Sequence, residues 1–399
     1  MASRREFIHQ SSLAVVGTML APAFLKVFEK NLLQPDDKIL VVIQLSGGND
    51  GLNTVVPFRN DIYYSKRQNI AIAAGEALKI SDELALNPAM EKFRRLYDEG
   101  WVSIVNSVGY PNPDRSHFRS MDIWHTASHA NEYLNTGWLG RYLDAQCTDT
   151  CHAYRAIEID DTLSLVLKGA KLKGLALQDP QKFYQAVHSP IYESIARFGK
   201  PADPTNEHIA YLYKTIAETS SSADYIYQKT KVSSSYAEYP NSQLARRLKT
   251  VAELIQSGVQ TRVYYLSLSG FDTHVRQIPQ QNRLLSEYSE AIYAFVQHLR
   301  TIGKHQQVAI LTFSEFGRRV AQNASNGTDH GAANCVFLIG TQLKKSGIVN
   351  AAPDLSDLDD GDLKHRIDFR SIYANLVENW LQADPTAVLG RRFEPLSLL

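Results

Sequence analysis

The chain reads as an α/β fold on a large, mostly parallel sheet, and three stretches predict it. Residues 39–45 are an apolar, largely β-branched run, the pattern of a strand buried on both faces. Residues 87–99 carry helical spacing (Met90, Phe93, Leu96, Tyr97) and precede the apolar run 101–108, which makes a βαβ unit with a right-handed crossover. Strand, amphipathic helix and strand then recur over 262–268, 278–302 and 307–313, the helix burying Leu285, Tyr288, Ile292, Phe295 and Leu299.

Ahead of the first strand, Ser3-Arg4-Arg5-Glu6-Phe7-Ile8 introduces a short apolar run (13–20) and Ala21-Pro22-Ala23, a small-x-small cleavage pattern. This resembles a twin-arginine export signal, so residues 1–30 are set apart as signal and linker, with the twin-arginine translocase as export partner and a periplasmic or extracellular destination. The same residues also fit an amphipathic N-terminal helix. The run falls short of the ~20 apolar residues that span a bilayer, so no integral membrane association is expected. Residues 31–399 are expected to form one domain, with a mostly helical insert or lid at 179–258 that carries no chemical motif and has loop-like breaks at 219–224 and 232–242. Lys+Arg and Asp+Glu both number 42, which argues against nucleic acid as a partner. Three cysteines are too few for a disulfide scaffold or a zinc ribbon; Cys147 and Cys151 are close enough to pair or to remain thiols, and Cys335 sits in an apolar strand.

The chemistry gathers at strand ends, where open α/β sheets bind ligands. Gly47-Gly48 breaks the first strand and presents Asn49 and Asp50, a candidate ligand or an Asx turn. After 101–108, two prolines lead to a helix that Asp114 or Ser116 can cap, with Arg115, Ser116, His117 and Arg119 at its anion-attracting N-terminus. Ser116 fits there equally as a plain cap and His117 as a surface residue. Asp272 and His274 follow the strand 262–268 two residues apart, on one face if the backbone stays extended, a workable pair for one cation. Glu315 ends the strand 307–313, and Asp329-His330 precedes the strand 334–340.

Five ordered motifs carry a family resemblance: Leu-Ser-Gly-Gly-Asn-Asp-Gly-Leu-Asn (45–53), Gly-Phe-Asp-Thr-His (270–274), Thr-Phe-Ser-Glu-Phe-Gly-Arg (312–318), Gly-Thr-Asp-His-Gly (327–331) and Asp-Phe-Arg-Ser-Ile-Tyr (368–373). Through them the chain is identified as a member of the exported bacterial family called domain of unknown function 1501, which is similar to the alkaline phosphatase and sulfatase superfamily. The resemblance implies an alkaline phosphatase-like three-layer αβα fold and one or two divalent ions (Zn, Ca, Mg or Mn) on Asp50, Asp272, His274, Glu315, Asp329 and His330. Where sulfatases carry Cys or Ser followed by x-Pro-x-Arg, this chain reads Asn112-Pro113-Asp114-Arg115-Ser116-His117, leaving Ser116 as the available nucleophile. Glu315-Phe316 stands where the superfamily often has Asp-His, and Phe316 cannot ligate.

Two functions follow as expectations. One is an exported metal-dependent hydrolase of anionic esters, sulfate or phosphate, on a small molecule or polysaccharide, with Ser116 or a bound water attacking and Arg115 or Arg119 neutralising the anion. The other is a non-catalytic exported binding protein that keeps a degenerate metal site. A serine hydrolase ranks last, because no Gly-x-Ser-x-Gly elbow is present.

Overall fold

The computed structural model describes residues 38–147, 152–198, 207–231 and 237–399, with side chains of 195–214 set aside. The expected export signal and Cys151 lie outside the described residues. Its centre is Ile39–Ser46 (β1), whose alternate side chains enter two different cores. Ile39, Val41, Ile43 and Leu45 face one, and Leu40 and Val42 the other. A strand buried on both faces has no polar side, which is why its sequence does not alternate.

Around β1 lie Val102–Gly109 (β2), Ala156–Glu158 (β3), Leu175–Ala176 (β4), Val263–Ser269 (β5), Val308–Phe313 (β6), Asn334–Ile339 (β7), Gly347–Ile348 (β8) and Ile367–Asp368 (β9). Among the described residues they form one nine-stranded sheet in the order β8-β2-β7-β6-β1-β5-β3-β4, with β9 paired to β2. Only β7 runs antiparallel to its neighbours, β2 and β6. Its reversed direction puts its first residue, Asn334, beside Val108 at the carboxyl end of β2. The loop that precedes β7 therefore reaches the same sheet edge as the loops that follow β1, β2, β5 and β6.

Helices cover both faces. Glu91–Asp98 (α1), Gln243–Gln256 (α7) and Gln277–Thr301 (α8) contribute to the core on the Ile43 side. His117–Thr126 (α2), Trp138–Gln146 (α3) and Phe369–Asn375 (α9) pack on the Val42 side. Between α3 and α7 run Pro180–Val187 (α4), Pro190–Phe198 (α5) and Glu207–Thr230 (α6). The α/β class and the mostly parallel mixed sheet expected from the sequence are what the structure has. The expected break at 219–224 is not there: α6 runs through it, because Ser222, Ala223 and Ile226 are buried and packing overrides the weak helix propensity of a serine run.

One stack of aromatics fixes the helix that matters most. The Trp124 ring lies between Phe313 and Phe369, with centroids 4.8 and 4.2 Å away, and Trp138 stacks on Tyr373 at 4.2 Å. Trp124 anchors the C-terminal half of α2 to the sheet. His117, seven residues earlier and about 10 Å along the axis, is thereby held at the sheet edge.

Candidate metal centre

The glycines that end β1 are required by what lies above them. Gly47 and Gly48 have φ of +117° and +73°, and a Cβ would meet the Asp272 backbone nitrogen at 2.5 Å and the Phe316 ring at 2.1 Å. This close passage lets the loops after β1, β5 and β6 converge. The Glu315–Arg319 turn then pairs with the 329–332 segment through an antiparallel bridge between Arg318 and His330. The residues after β5 are tied to the 323–328 loop by Gln277 N–H to Asn326 O (2.9 Å) and by Asn323 Nδ2 to His274 O (2.9 Å).

The loops bring three imidazoles to one carboxylate oxygen. Asp272 Oδ1 lies 3.0 Å from His274 Nε2, 3.1 Å from His330 Nε2 and 3.5 Å from His117 Nε2, and the Nε2 atoms of His274 and His330 are 3.0 Å apart. Behind each ring, Nδ1 meets a group that can only accept. For His117 it is Glu315 Oε1 (3.0 Å), for His274 Asp329 Oδ1 (3.3 Å) and for His330 the Arg115 carbonyl (2.7 Å). Each neutral ring must carry its proton on Nδ1, which leaves all three Nε2 lone pairs aimed at the carboxylate. Lone pairs set about 3 Å from one another repel unless a proton or a cation sits among them. His117 Nε2 is moreover buried without a hydrogen-bond partner. The four separations given lie near the roughly 3.3 Å edge of a tetrahedron around an ion with ligands at about 2.0–2.1 Å, and the ligand atoms of His117, Asp272 and His330 all fall within 4.8 Å of one another, so these three residues fit a metal. His274 stands beside Asp272 and His330 at the edge of that group, outside the three that are mutually close.

Glu315 serves the centre from behind. It is fully buried, and its Oε1 also accepts the Gly47 N–H at 2.8 Å. Burial pushes its pKa up, but the bonds from His117 and Gly47 outweigh that and hold it below the ordinary value. Glu315 Oε2 contacts Gln44 Nε2 (3.4 Å), and Gln44 Oε1 accepts from Tyr265 Oη (2.5 Å) and lies near His125 Nε2 (3.3 Å), a polar chain running into the sheet. Burial holds His125 down at about 4, so the chain stays neutral behind the one carboxylate. His117 is raised, chiefly by its bond to Glu315, against burial that lowers it. Asp272 is lowered to about 2, burial being overcome chiefly by the bond from Arg318.

Phe316 forms a wall, its ring tilted against His117 (4.9 Å) and His330 (4.7 Å). Arg318 is buried, and its Nη2 donates to Asp272 Oδ1 at 2.7 Å. Of the residues expected at the site, Asp272, His274 and His330 come together, with Glu315 and Asp329 one bond behind. Asp50 does not join them. Its Oδ2 accepts from Arg67 Nη1 (2.6 Å) and from Gln277, and its Oδ1 from the Leu52 N–H (3.2 Å). Arg115 turns away to Asp362 (Nε to Oδ2, 2.8 Å) and reaches the centre only through its carbonyl. Arg119 closes the 129–132 turn by donating to the carbonyls of His129 and Ala130, and stacks on Tyr133 at 3.8 Å. Each guanidinium is engaged by an internal acceptor, Arg119 within the fold and Arg115 on an exposed side chain. Ser116 is exposed at the N-cap of α2, its hydroxyl making no bond to the first turn.

Sequence reading placed His117 at the anion-binding helix end rather than among the ligands, and assigned Arg318 no role although it closes the 312–318 motif. His117 is separated from the other ligands by more than 150 residues, and the one signal for it was its place at the N-terminus of the helix following β2.

The fold and this centre define an α/β protein with a histidine-rich metal-competent site at the strand ends. The chain belongs to the family described as protein of unknown function DUF1501, whose profile matches residues 37–388. No curated protein matches it by sequence. Solved structures similar to it include the PsFucS1 sulfatase from Pseudoalteromonas sp., at 12% identity and TM-score 0.39 over 95% of this chain and 72% of that one. A protein of the alkaline phosphatase superfamily from Vibrio parahaemolyticus is similar at 10% identity and TM-score 0.40, over 90% and 70%. The C-terminal periplasmic domain of EcEptC from Escherichia coli is similar at 9% identity and TM-score 0.38, over 77% and 73%. No helix among the described residues is long and apolar enough to cross a membrane.

Proposed function

We propose that this chain is an exported metal-dependent hydrolase of anionic esters, sulfate or phosphate, with the ion on His117, Asp272, His274 and His330. The observation that carries the reading is the convergence of three Nε2 lone pairs on Asp272 Oδ1, each ring fixed from behind by an acceptor. Three imidazoles and one carboxylate suit zinc better than calcium or magnesium, which prefer all-oxygen shells. A divalent ion held there supplies a Lewis acid for a nonbridging ester oxygen and favours deprotonation of a nearby hydroxyl.

The chain's own groups do the rest. Glu315, Asp329 and the Arg115 carbonyl hold the three rings in the ligating tautomer. The first N–H groups of α2 have no intrahelical acceptor, and the Ser116 side chain does not take them, so they face an incoming anion. Ser116 Oγ is the attacking atom, at the positive end of that helix. Phe316 shields one side of the centre from water.

A second reading, a binding protein with a metal-stabilised site, is favoured by one observation: Arg115 and Arg119, the arginines expected to neutralise the anion, are both tied to internal acceptors. Chelator-stripped protein, reloaded with Zn, Mn, Ca or Mg and assayed on an aryl sulfate and an aryl phosphate, separates the two. Zinc-loaded protein should turn over one ester. Ser116→Ala should lose about 100-fold or more in rate and keep its metal, while His330→Ala should lose both. An undiminished Ser116→Ala rate moves the attack to water, and no turnover with any ion favours the binding protein.

A further inference from the structure

Four carboxylates stand at this sheet edge: Asp50, Asp272, Glu315 and Asp329. Each must be neutralised, since unpaired carboxylates packed together repel and a buried one is costly. Asp50 and Arg67 are both fully buried and paired at 2.6 Å. The Nη1 that meets Asp50 also donates to Asn53 Oδ1 (2.9 Å), and the remaining nitrogens of Arg67 are occupied, Nε on Val320 O (2.8 Å) and Nη2 on Arg319 O (2.9 Å). Glu315 is satisfied by His117, Gly47 and Gln44, and Asp329 by Asn323 (3.1 Å) and His274.

Arg318 accounts for the rest. Beside Asp272 the chain turns four backbone carbonyls towards one guanidinium, those of Gly47, Gly48, Phe271 and Thr328. That guanidinium is Arg318's, with Nε on Gly48 O (2.6 Å), Nη1 on Thr328 O (2.9 Å), and Nη2 on Gly47 O, Phe271 O (2.9 Å) and Asp272 Oδ1 (2.7 Å). Four carbonyls and a carboxylate are the donor set of a hard cation such as Ca²⁺, and here a guanidinium occupies it. With Asp50 closed by Arg67 and the four carbonyls closed by Arg318, the half-exposed Asp272 carboxylate and the Nε2 atoms that face it are left to hold an ion.

Resting on the metal centre proposed above, we infer that the centre takes one divalent cation, and that Arg318 and Arg67 are built-in cations that exclude a second. Arg318 thus sets the metal stoichiometry without being a ligand, and its charge stands where a second ion's would.

Metal stoichiometry of the full chain tests this without reference to activity. Protein equilibrated with excess Zn²⁺ and Ca²⁺ and freed of loose ions should retain one equivalent by elemental analysis, and His330→Ala none. Two equivalents on the unaltered chain overturn the inference. Zero equivalents on folded protein instead overturn the metal centre itself. Arg318→Ala, where it folds, should gain one Ca²⁺ by calorimetric titration, because the five oxygens lose their occupant. A folded Arg318→Ala that gains no ion overturns the role given to Arg318. Should that variant fail to fold, the stoichiometry of the unaltered chain still decides.

Discussion

Asp50 and Asp272 follow neighbouring parallel strands, β1 and β5, whose ends are paired Ser46 to Ser269. From sequence they look alike, each a carboxylate just past a glycine break. In the structure one is fully buried and the other has half its side chain exposed. Asp50 is enclosed by Arg67 and Gln277, and the second of these comes from the first turn of α8. Asp272 shares its oxygen with Arg318 but keeps an open side on which three histidines converge. Both carboxylates meet a buried guanidinium, and what separates ligand from structural ion pair is whether the partners enclose the carboxylate, as Arg67 and Gln277 do for Asp50, or leave one side open, as Arg318 does for Asp272.

The largest way to break this contrast is to remove the cation. Arg67→Met leaves Asp50 charged and buried, and unfolding in urea should show a loss of about 3–5 kcal/mol with the metal content unchanged. Replacing both partners, Asp50→Leu with Arg67→Met, should recover much of that loss, since apolar substitutes carry no stranded charge. Equal losses for the single and double variants would remove the ion pair as the reason for burying Asp50.

Next in size is the support behind the open site. Glu315→Gln keeps the shape but takes away the anion that orients His117, and zinc titration should show affinity about 10–100-fold weaker. An unchanged affinity would mean that His117 is not a ligand.

The same pair sets a pH dependence with two opposite signs. Because the folded pKa of His117 lies above 6.5, the metal-free protein gains stability from the His117–Glu315 bond at pH below 6.5, and loses it as pH rises through the folded value. Zinc affinity runs the other way. The proton competes for Nε2, so binding weakens as pH falls below the folded pKa. An NMR titration of His117 should show a midpoint above the ordinary histidine value, shifted down in Glu315→Gln.

The smallest effect concerns Ser116. Its side chain makes no capping bond, so Ser116→Ala should change stability by less than about 0.5 kcal/mol, below the ~1 kcal/mol of a lost cap. A loss near the full cap value would show that the hydroxyl bonds the first turn of α2, and would weaken its availability for attack.

The strands and long helices were legible because burial imposes a period that local sequence displays. β1, β2, β5, β6, β7 and α8 fall within a residue or two of where apolar spacing predicts them. So were the loops that carry Asp272, His274, Glu315 and His330, since glycine breaks after apolar runs mark strand ends in an α/β fold. Sequence alone did not tell apart two carboxylates with the same local signature, nor did it assign His117, Arg115 and Arg119 their different directions. Those choices are made by contacts between segments far apart in the chain: Arg67 with Asp50, Asp362 with Arg115, and Glu315 with His117. Whether a charged side chain binds a ligand or completes the fold depends on the counter-charge it faces, and that partner has no fixed sequence separation for a local pattern to reveal.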